Sequence, residues 1–520
     1  MGIYLNPGNE KFNMSLRSEI YVDKSLIISE ISKLIRTEQR FICISRPRRF
    51  GKSMTANMLT AYYGKGVDSS SLFDSLAISQ TPGYKEHMNN YNVLALNMQN
   101  FLTESGDISN FIPFLQEKIS AELEIYYPQV TDNYDSLSNL LEKIYVATGD
   151  CFIFIIDEWD CVLRENKDSE AYQREYLEFL RNLLKDRVYV ALAYMTGILP
   201  IKKYGTHSAL NMFTEISMTN PGKYASYVGF TEDEVKKLCE DSGTDFTKLA
   251  YWYDGYSFAP NIHCYNPKSV TDCIINQKYA SYWVEAETYE ALRIYIDMNY
   301  DGLREAISHM LAGENIKINT RHFQNDMTSF ENKDDVLTLL IHLGYLSYEE
   351  ESGTVYIPNQ EIRIEFENAI EGSHWNEVIE SLHNSEQLLQ ATLCGDATTV
   401  SRLIEECHQN NTSILNYNDE NALSYIISLA YYSARGEYSL VREFPSGKGF
   451  ADIVFIPKKS SSKPAILVEL KWDKDANSAI RQIKEKEYAG VLSDRQSHTI
   501  LVGVNYNKKT KRHECVIENM

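Results

Sequence analysis

Residues 41–53 have the sequence FICISRPRRFGKS. The first five residues are an apolar run typical of a buried strand, and the GKS triplet at 51–53 opens a helical pattern. A strand, a turn and a helix N-terminus in this order are typical of a phosphate-binding loop, because free backbone N–H groups and the positive end of the helix face the anion. In such a loop Lys52 reaches the outer phosphates and the Ser53 hydroxyl binds Mg²⁺.

The loop departs from the usual pattern at its first position. In the motif G-x-x-x-x-G-K-[ST] the first glycine falls at Arg46. A GKS triplet at a helix start also arises by chance in a long chain. A second nucleotide-handling motif is therefore needed to separate a phosphate-binding loop from a coincidence.

Residues 151–158, CFIFIIDE, supply that second motif. The apolar run predicts a strand buried on both faces, and its two acids then lie at the carboxyl end, where open α/β sheets bind ligands. Asp157 is expected to hold Mg²⁺ through water, and Glu158 to orient or deprotonate the attacking water. A core strand that ends in a solvated acidic turn is the alternative, and the order of the two motifs favours the nucleotide site.

A third strand, predicted at 188–195, ends at Thr196, a weaker candidate for sensing the γ-phosphate because polar residues end many strands. Strands alternate with helices over residues 41–230, and this predicts a parallel sheet with helices on both faces. The predicted nucleotide-binding residues are Arg49, Phe50, Gly51, Lys52, Ser53, Met54, Asp157 and Thr196.

Composition limits the function classes. A chain of 520 residues predicts about two to four domains. The net charge of −21 argues against a protein coated in nucleic acid, yet residues 435–520 hold 16 Lys and Arg against 11 Asp and Glu, a local +5.

Nine cysteines without C-x-x-C pairs favour a reducing compartment, and we expect the cytoplasm. Neither a signal peptide nor an apolar run near the roughly 18 residues of a membrane span is expected.

The middle of the chain changes from alternating to helical patterns at the Thr231-x-x-Glu234 capping box. A helix near 335–340 followed by a strand at 355–358 suggests a winged-helix-like unit, and its acidic character favours a structural role over DNA binding. We therefore divide the chain into an ATPase core, a helical lid with the winged-helix-like region, a helical connector and a C-terminal domain, at 1–230, 231–370, 371–415 and 416–520.

The C-terminal domain carries a second set of chemically useful residues. Strands predicted at 450–456 and 465–471 place Asp452 and Glu469 on neighbouring strands, and Lys471 falls on the same face as Glu469. Carboxylate oxygens suit Mg²⁺ or Mn²⁺, which polarises a phosphodiester, while Lys471 positions water or stabilises charge at phosphorus.

Two further residues belong to this prediction. Glu420, on the preceding helix, is a candidate to complete the metal site. Gln482, on the last helix, is a candidate to orient Lys471 or the scissile phosphate. The alternative is a set of solvated charges on a sheet edge, because an acid-x-Lys at a strand end is common by itself.

These motifs together resemble the AAA-ATPase-like proteins that carry a C-terminal PD-(D/E)XK nuclease domain. The resemblance spans nearly the whole chain and implies ATP and Mg²⁺ at the loop and a restriction-endonuclease-like core at the end. The Arg-Pro-Arg-Arg run also looks like the family's own loop. The matching segments are YVDKS at 21–25, RPRRFGKS at 46–53, TGI at 196–198, WYDGY at 252–256, GYL at 344–346, GFAD at 449–452, ELK at 469–471 and QIKEKEY at 482–488.

The expected activity is that of an ATP-driven or ATP-gated nuclease acting on DNA or RNA, with no membrane partner and a possible homo-oligomer. The predicted catalytic residues are Glu158, Asp452, Glu469, Lys471 and Gln482. One alternative is a signalling or scaffold ATPase whose last domain binds nucleic acid without cutting it. Another is a phosphate-binding loop that is a relic and binds no ATP.

Overall fold

The computed structural model describes residues 2–130, 134–166, 169–201, 210–259, 262–283, 289–298, 300, 302–324, 330–371, 376–411, 420–446, 449–458, 463–486 and 499–520. The chain divides into two compact units: Met1–Thr288 with Lys317–Ile364, and Tyr289–Ile316 with Glu365–Met520. This division is coarser than the four predicted segments, which stay a prediction. It also groups residues 289–316 with the C-terminal unit, although the sequence analysis had assigned them to the lid.

Helices alternate with short strands up to residue 265, and helices predominate from residue 267 to residue 430. Their bounds are α1 Glu10–Leu16, α2 Ile27–Ser32, α3 Lys52–Tyr63, α4 Ser70–Phe73, α5 Met98–Ser105, α6 Ile108–Tyr126, α7 Leu137–Thr148, α8 Cys161–Glu165, α9 Glu170–Leu184, α10 Glu232–Ser242, α11 Phe246–Tyr253, α12 Pro267–Asn276, α13 Tyr289–Ile296, α14 Leu303–Leu311, α15 Lys333–Leu343, α16 Gln360–Glu371, α17 Asn376–Leu393, α18 Ala397–Asn411, α19 Glu420–Ala430 and α20 Ala476–Glu485.

The strands form two larger and two smaller sheets. Their bounds are β1 Phe41–Ser45, β2 Asn92–Asn97, β3 Phe152–Asp157, β4 Val190–Gly197, β5 Thr214–Ile216, β6 Phe230–Thr231, β7 Tyr256–Ala259, β8 Ile262–Tyr265, β9 Ile316–Lys317, β10 Ser347–Glu349, β11 Thr354–Tyr356, β12 Tyr438–Ser446, β13 Gly449–Pro457, β14 Ala465–Trp472, β15 Thr499–Asn507 and β16 Arg512–Asn519.

The N-terminal unit is built on a five-stranded parallel sheet in the order β2-β3-β4-β1-β5. Every residue of β1, β3 and β4 is buried, as expected for strands covered on both faces. The register pairs Asp157 with Thr196 and Ile44 with Thr196, so the carboxyl ends of the three strands meet at one edge. The predicted parallel sheet is confirmed.

The aromatic turn WYDGY at 252–256 packs inside this unit. Gly255 has φ +124°, and a Cβ there would lie 2.1 Å from the carbonyl oxygen of Pro358, so only glycine fits the close approach. Tyr256 donates its hydroxyl to the Gly344 carbonyl at 2.5 Å, and its ring meets Phe50 edge-on. The turn therefore holds the phosphate loop against the helical region. Nearby, α15 precedes the antiparallel hairpin β10–β11, as the sequence predicts.

The C-terminal unit is built on a mixed five-stranded sheet in the order β12-β13-β14-β15-β16. Only β14 and β15 pair in parallel, and the helix α20 connects them on one face of the sheet. On that face Leu467 and Leu501 pack against Ile480 and Ile483 of α20. The other face packs against α17, α18 and α19. No helix among the described residues is both long and apolar enough to cross a bilayer.

Two buried histidines join α18 to β16 in this unit. His408 Nδ1 lies 3.2 Å from His513 Nε2, and both rings pack against Tyr506. Burial lowers the pKa of His408 to about 4, and burial with the neighbouring His408 lowers that of His513 to about 3. The Glu405 carboxylate accepts the backbone N–H of His513 at 3.3 Å. The pair is therefore neutral near pH 7.

We predict that the C-terminal unit loses stability as the pH falls from about 6.5 towards 4. The unfolded chain then binds protons that the folded histidines do not bind, and the loss should reach a few kcal/mol, on the order of one per pKa unit. Denaturant unfolding at several pH values measures it. The His408→Leu/His513→Leu variant should remove most of this slope, whereas the exposed-site control His322→Leu should keep it. Equal slopes in all three proteins would show the prediction to be wrong.

Candidate functional sites

The loop between β1 and α3 has the backbone of an anion cradle. Gly51 caps α3 with φ +87°, and Arg49 also lies in the left-handed region with φ +64°. Lys52 is 5% exposed, and its Nζ donates to the Pro47 carbonyl at 2.8 Å, across the loop. Burial lowers the pKa of Lys52, while the nearby Glu158 opposes that shift. This backbone presents the N-terminus of α3 as a site for an anion.

Arg46, which replaces the expected first glycine, is a core residue. It is fully buried, its Nη1 donates to the Ser45 carbonyl at 3.1 Å, and its guanidinium lies 4.5 Å from the Phe258 ring centroid. Burial lowers its pKa to about 10. The arginine side chain thus packs in the core beneath the start of the loop and does not line the cavity.

Asp157 lies beside Lys52 and Ser53, the first two residues of α3. The nearby Ser53 hydroxyl acts to lower the pKa of Asp157, and Asn97 Nδ2 donates to Oδ2 at 3.3 Å. Its Oδ1 is buried and has no hydrogen-bond partner among the described residues. Burial raises the pKa of Asp157. A buried carboxylate oxygen next to a hydroxyl fits the oxygen ligands that Mg²⁺ requires.

Glu158 follows in a strained conformation, with φ +54°. Its carboxylate pairs with the Nη2 of Arg164 on α8. Burial raises the pKa of Glu158, and Lys52 and Arg164 oppose that shift. The same arginine lies 3.1 Å, through Nε, from Asp160. Arg164 therefore connects the predicted general base to a second buried acid.

A cavity of about 940 Å³ opens over this loop within the N-terminal unit. Arg49, Phe50, Gly51, Lys52, Ser53, Met54 and Glu158 all line it. Asp157 and Thr196 are not among the lining residues: Asp157 is 8% exposed, and Thr196, which pairs with it on β4, is fully buried. Other lining residues include residues 18–22 and Tyr227, Pro267, Thr271 and Ile275. The cavity is large enough for a nucleotide.

The predicted nuclease residues meet on one face of the C-terminal sheet. Ile453 pairs with Val468, which places Asp452 opposite Glu469 on the neighbouring strand. Asp452 Oδ2 accepts the backbone N–H of Leu470 at 2.7 Å. Lys471 Nζ lies 3.0 Å from Glu469 Oε1 and is 7% exposed. The predicted juxtaposition of the three side chains is present.

Gln482 reaches the same site from α20. Its Nε2 donates to Glu469 Oε1, the oxygen that also lies 3.0 Å from Lys471 Nζ. Gly503, which pairs with Glu469 on β15, permits this close approach: a Cβ there would lie 2.5 Å from the Ala476 carbonyl oxygen. The glycine lets α20 pack directly on the sheet.

The pKa of Glu469 is set by its burial and by its charged neighbours. Burial and the neighbouring Asp452 raise its pKa to about 7, although Lys471 opposes the shift. Its Oε2 is buried without a hydrogen-bond partner among the described residues. Such an oxygen fits a divalent cation. Glu420 begins α19, and its side chain lies outside the described part of the chain, so its proposed contribution stays a prediction.

Comparison with known families agrees with both sites. Residues 8–206 match the family model described as a predicted AAA-ATPase, and residues 419–515 match the PD-(D/E)XK nuclease superfamily. The chain carries an AAA-ATPase-like domain and a C-terminal PD-(D/E)XK nuclease superfamily domain. Both descriptions are those of enzymes, and they confirm the resemblance seen in the sequence motifs.

Individual relatives add less. A protein of Azotobacter chroococcum mcd 1, described as an uncharacterized protein in the vnfD 5' region, is 26% identical over 252 residues, 47% of this chain and 47% of that protein. The match thus spans about half the length of that relative. A Walker-type ATPase of Pyrococcus abyssi aligns with 66% of this chain and 94% of its own, at 12% identity and a TM-score of 0.32. A likeness this low carries no argument.

Sequence reasoning missed three residues of the AAA-ATPase-like domain. Asn97 contacts Asp157, Arg164 contacts Glu158, and Asp160 pairs with Arg164. Asp160 Oδ2 also accepts the N–H groups of Ile198 and Leu199 at 3.0 and 2.8 Å. The fully buried Asp160 therefore ties the turn after β3 to the loop after β4. The only signal in the sequence was a third acid two residues after Glu158.

We predict that Asp160→Ala destabilises the AAA-ATPase-like domain strongly. The change removes the acceptor of two buried N–H groups and one of the two carboxylates that pair with Arg164. We expect a loss of about 3 kcal/mol and a fall of roughly 5–10 °C in the melting temperature. Differential scanning calorimetry of the full chain measures this fall. The exposed helix acid Asp241 supplies a matched control, Asp241→Ala, which should change stability by less than about 0.5 kcal/mol. Similar melting of the two variants would contradict the assigned role.

Proposed function

We propose that the protein is a metal-dependent nuclease that acts on DNA or RNA under the control of ATP bound at its phosphate loop. The observation that carries the proposal is the arrangement of Asp452, Glu469 and Lys471 around one buried carboxylate oxygen without a partner. The family match of residues 419–515 supports the same reaction class. DNA and RNA share the phosphodiester that this site would attack.

Asp452 and Glu469 would hold Mg²⁺ or Mn²⁺, which would polarise the phosphodiester and acidify the attacking water. Lys471 is a buried cation directly beside these acids, so it would stabilise the charge that develops on the phosphate oxygens. Gln482 binds one oxygen of Glu469, and the other oxygen would bind the cation. Substrate phosphate would therefore enter between the metal ligands and Lys471.

At the phosphate loop, Ser53 and Asp157 would hold the Mg²⁺ that accompanies ATP and neutralises its phosphate charge. Lys52 would exchange its contact with the Pro47 carbonyl for the outer phosphates. Glu158 would orient the attacking water after its carboxylate leaves Arg164. We propose that ATP binding and hydrolysis gate the nuclease because both sites belong to one chain.

We also propose a cellular compartment for this activity. No disulfide joins any of the nine cysteines, all of which lie in the described part of the chain, and this suits a reducing compartment such as the cytoplasm. A homo-oligomer stays a prediction. The competing function is an ATPase whose C-terminal domain binds nucleic acid without cutting it, and the nuclease experiment separates the two.

We predict that the purified full chain with Mg²⁺ or Mn²⁺ cuts DNA or RNA and that Asp452→Ala lowers the rate by roughly 100-fold or more, because one metal ligand is lost. Gel assays with labelled DNA and RNA, each with and without ATP, measure both the activity and its gating. Glu386→Gln, which changes an exposed carboxylate in the same unit, should cut like wild type. Binding without cleavage by wild type across these substrates and metals would favour the competing function.

We predict that ATP with Mg²⁺ raises the melting temperature of the wild-type chain and that Lys52→Ala removes this rise. Glu158→Gln should keep the rise but lower hydrolysis by roughly 10²–10⁴-fold, because it alters the general base and leaves the phosphate contacts. Thermal melting and phosphate release measure the two effects. Lys237→Ala, at an exposed lysine of α10, is the control. The absence of any shift in wild type would identify the loop as a relic.

A further inference from the structure

A cluster of exposed cations lies where β14 and β15 end. Lys474 lies in the turn from β14 to α20, and Lys508, Lys509, Lys511 and Arg512 lie in and beside the turn from β15 to β16. All five side chains are exposed. We call these five residues the basic surface. Its charge stands out because the whole chain carries −21.

Hydrogen bonds between the two turns hold the basic surface together. The fully buried Asn505 accepts the Lys474 N–H at 3.0 Å and donates to the Lys474 carbonyl at 3.0 Å. Lys508 donates its backbone N–H to Asp473 Oδ1 at 2.7 Å. Asn507 then accepts the backbone N–H groups of Lys509 and Thr510, each at 3.0 Å, which shapes the second turn. The cations therefore sit on an ordered surface.

The basic surface lies next to the proposed nuclease site. β14 and β15 run in parallel, and Lys471 pairs with Asn505. Lys508 is three residues beyond Asn505, so the basic surface begins roughly 10 Å from Lys471 along the strand direction. The turn that carries Lys474 leads into α20, which covers the face holding Glu469 and Lys471. Both features therefore lie at the same end of the sheet.

The charges of the basic surface are not neutralised by partners. Within the described part of the chain, none of its five side chains forms an ion pair. Two acids occur in the same turns: Asp473 Oδ1 accepts the Lys508 N–H, and Asp475 caps α20. Glu514, which pairs with Asn505, and Glu405, which accepts the His513 N–H, lie beside the turns on β16 and α18. Within the turns themselves, five cations face two acids, and this excess attracts a polyanion.

We propose that the basic surface binds the phosphate backbone of nucleic acid and positions it over Asp452, Glu469 and Lys471. This inference rests on the proposed nuclease function and deepens it. Lysine heads on short turns contact phosphates without reading bases, so the surface would bind DNA or RNA with little sequence preference. Each phosphate contact releases counterions, which makes binding strongly dependent on salt.

The test measures binding of the full chain in the Asp452→Ala background, so that binding is recorded without cleavage. Lys508→Gln/Lys509→Gln is the test variant; both changes leave the backbone hydrogen bonds in place. Lys484→Gln/Lys486→Gln removes the same charge at the far end of α20, where Lys484 pairs with Glu518 at the other end of β16. Fluorescence anisotropy over a range of KCl concentrations follows labelled duplex DNA, duplex RNA and single-stranded DNA.

For duplex DNA we expect the test variant to lower the slope of log K against log salt by about 2, since each lost contact contributes about 0.9, and to weaken binding at least about tenfold. The control should bind with the slope of its parent chain. The three probes identify which nucleic acid the surface prefers. Unchanged melting temperatures show that both variants fold.

The results separate the two proposals. If test and control variants bind with the same slope, the basic surface does not bind phosphate, even where Asp452-dependent cleavage is intact. If the slope falls in the test variant alone while wild type cuts nothing, the basic surface stands and the nuclease function fails. If the chain binds none of the probes, both proposals are overturned.

Discussion

Both candidate sites depend on one constraint: a strand buried on both faces can carry charged side chains only near its end. The residues of β3 before Asp157 are all buried and apolar, and β14 is buried from Ala465 to Lys471. Transfer of a charge into such a layer costs several kcal/mol unless a partner compensates it. The acids and lysines therefore collect at the carboxyl edge, where ligands and helix N-termini supply partners.

The same constraint sets the electrostatics of the two sites. Burial raises the pKa values of Asp157, Glu158 and Glu469, so each carboxylate is held in an environment that favours a cationic neighbour. Arg164 and Lys471 are the protein's own cationic neighbours. Divalent cations would satisfy the oxygens that remain, on Asp157 Oδ1 and Glu469 Oε2. Each site is thus arranged around a carboxylate that the protein satisfies only in part.

Much of the architecture was predictable from local patterns. The apolar runs ending at Ser45 and Asp157 gave the parallel sheet, since period and length identify buried strands without knowledge of their neighbours. The alternation along β14 put Glu469 and Lys471 on one face for the same reason. The hydrogen bonds of Asp160 and the one from Gln482 to Glu469 were not predictable, because they join residues distant along the chain and depend on how helices pack.

The amino-acid sequence by itself determined the class of each domain and the identity of its acids and lysines, because strand period, loop spacing and residue chemistry are local properties. Tertiary structure decided the rest. It buried Arg46 against Phe258, buried Thr196 fully beside Asp157, and joined the turns of the basic surface through Asn505. Each of these outcomes depends on burial and on long-range packing, which no stretch of sequence carries alone.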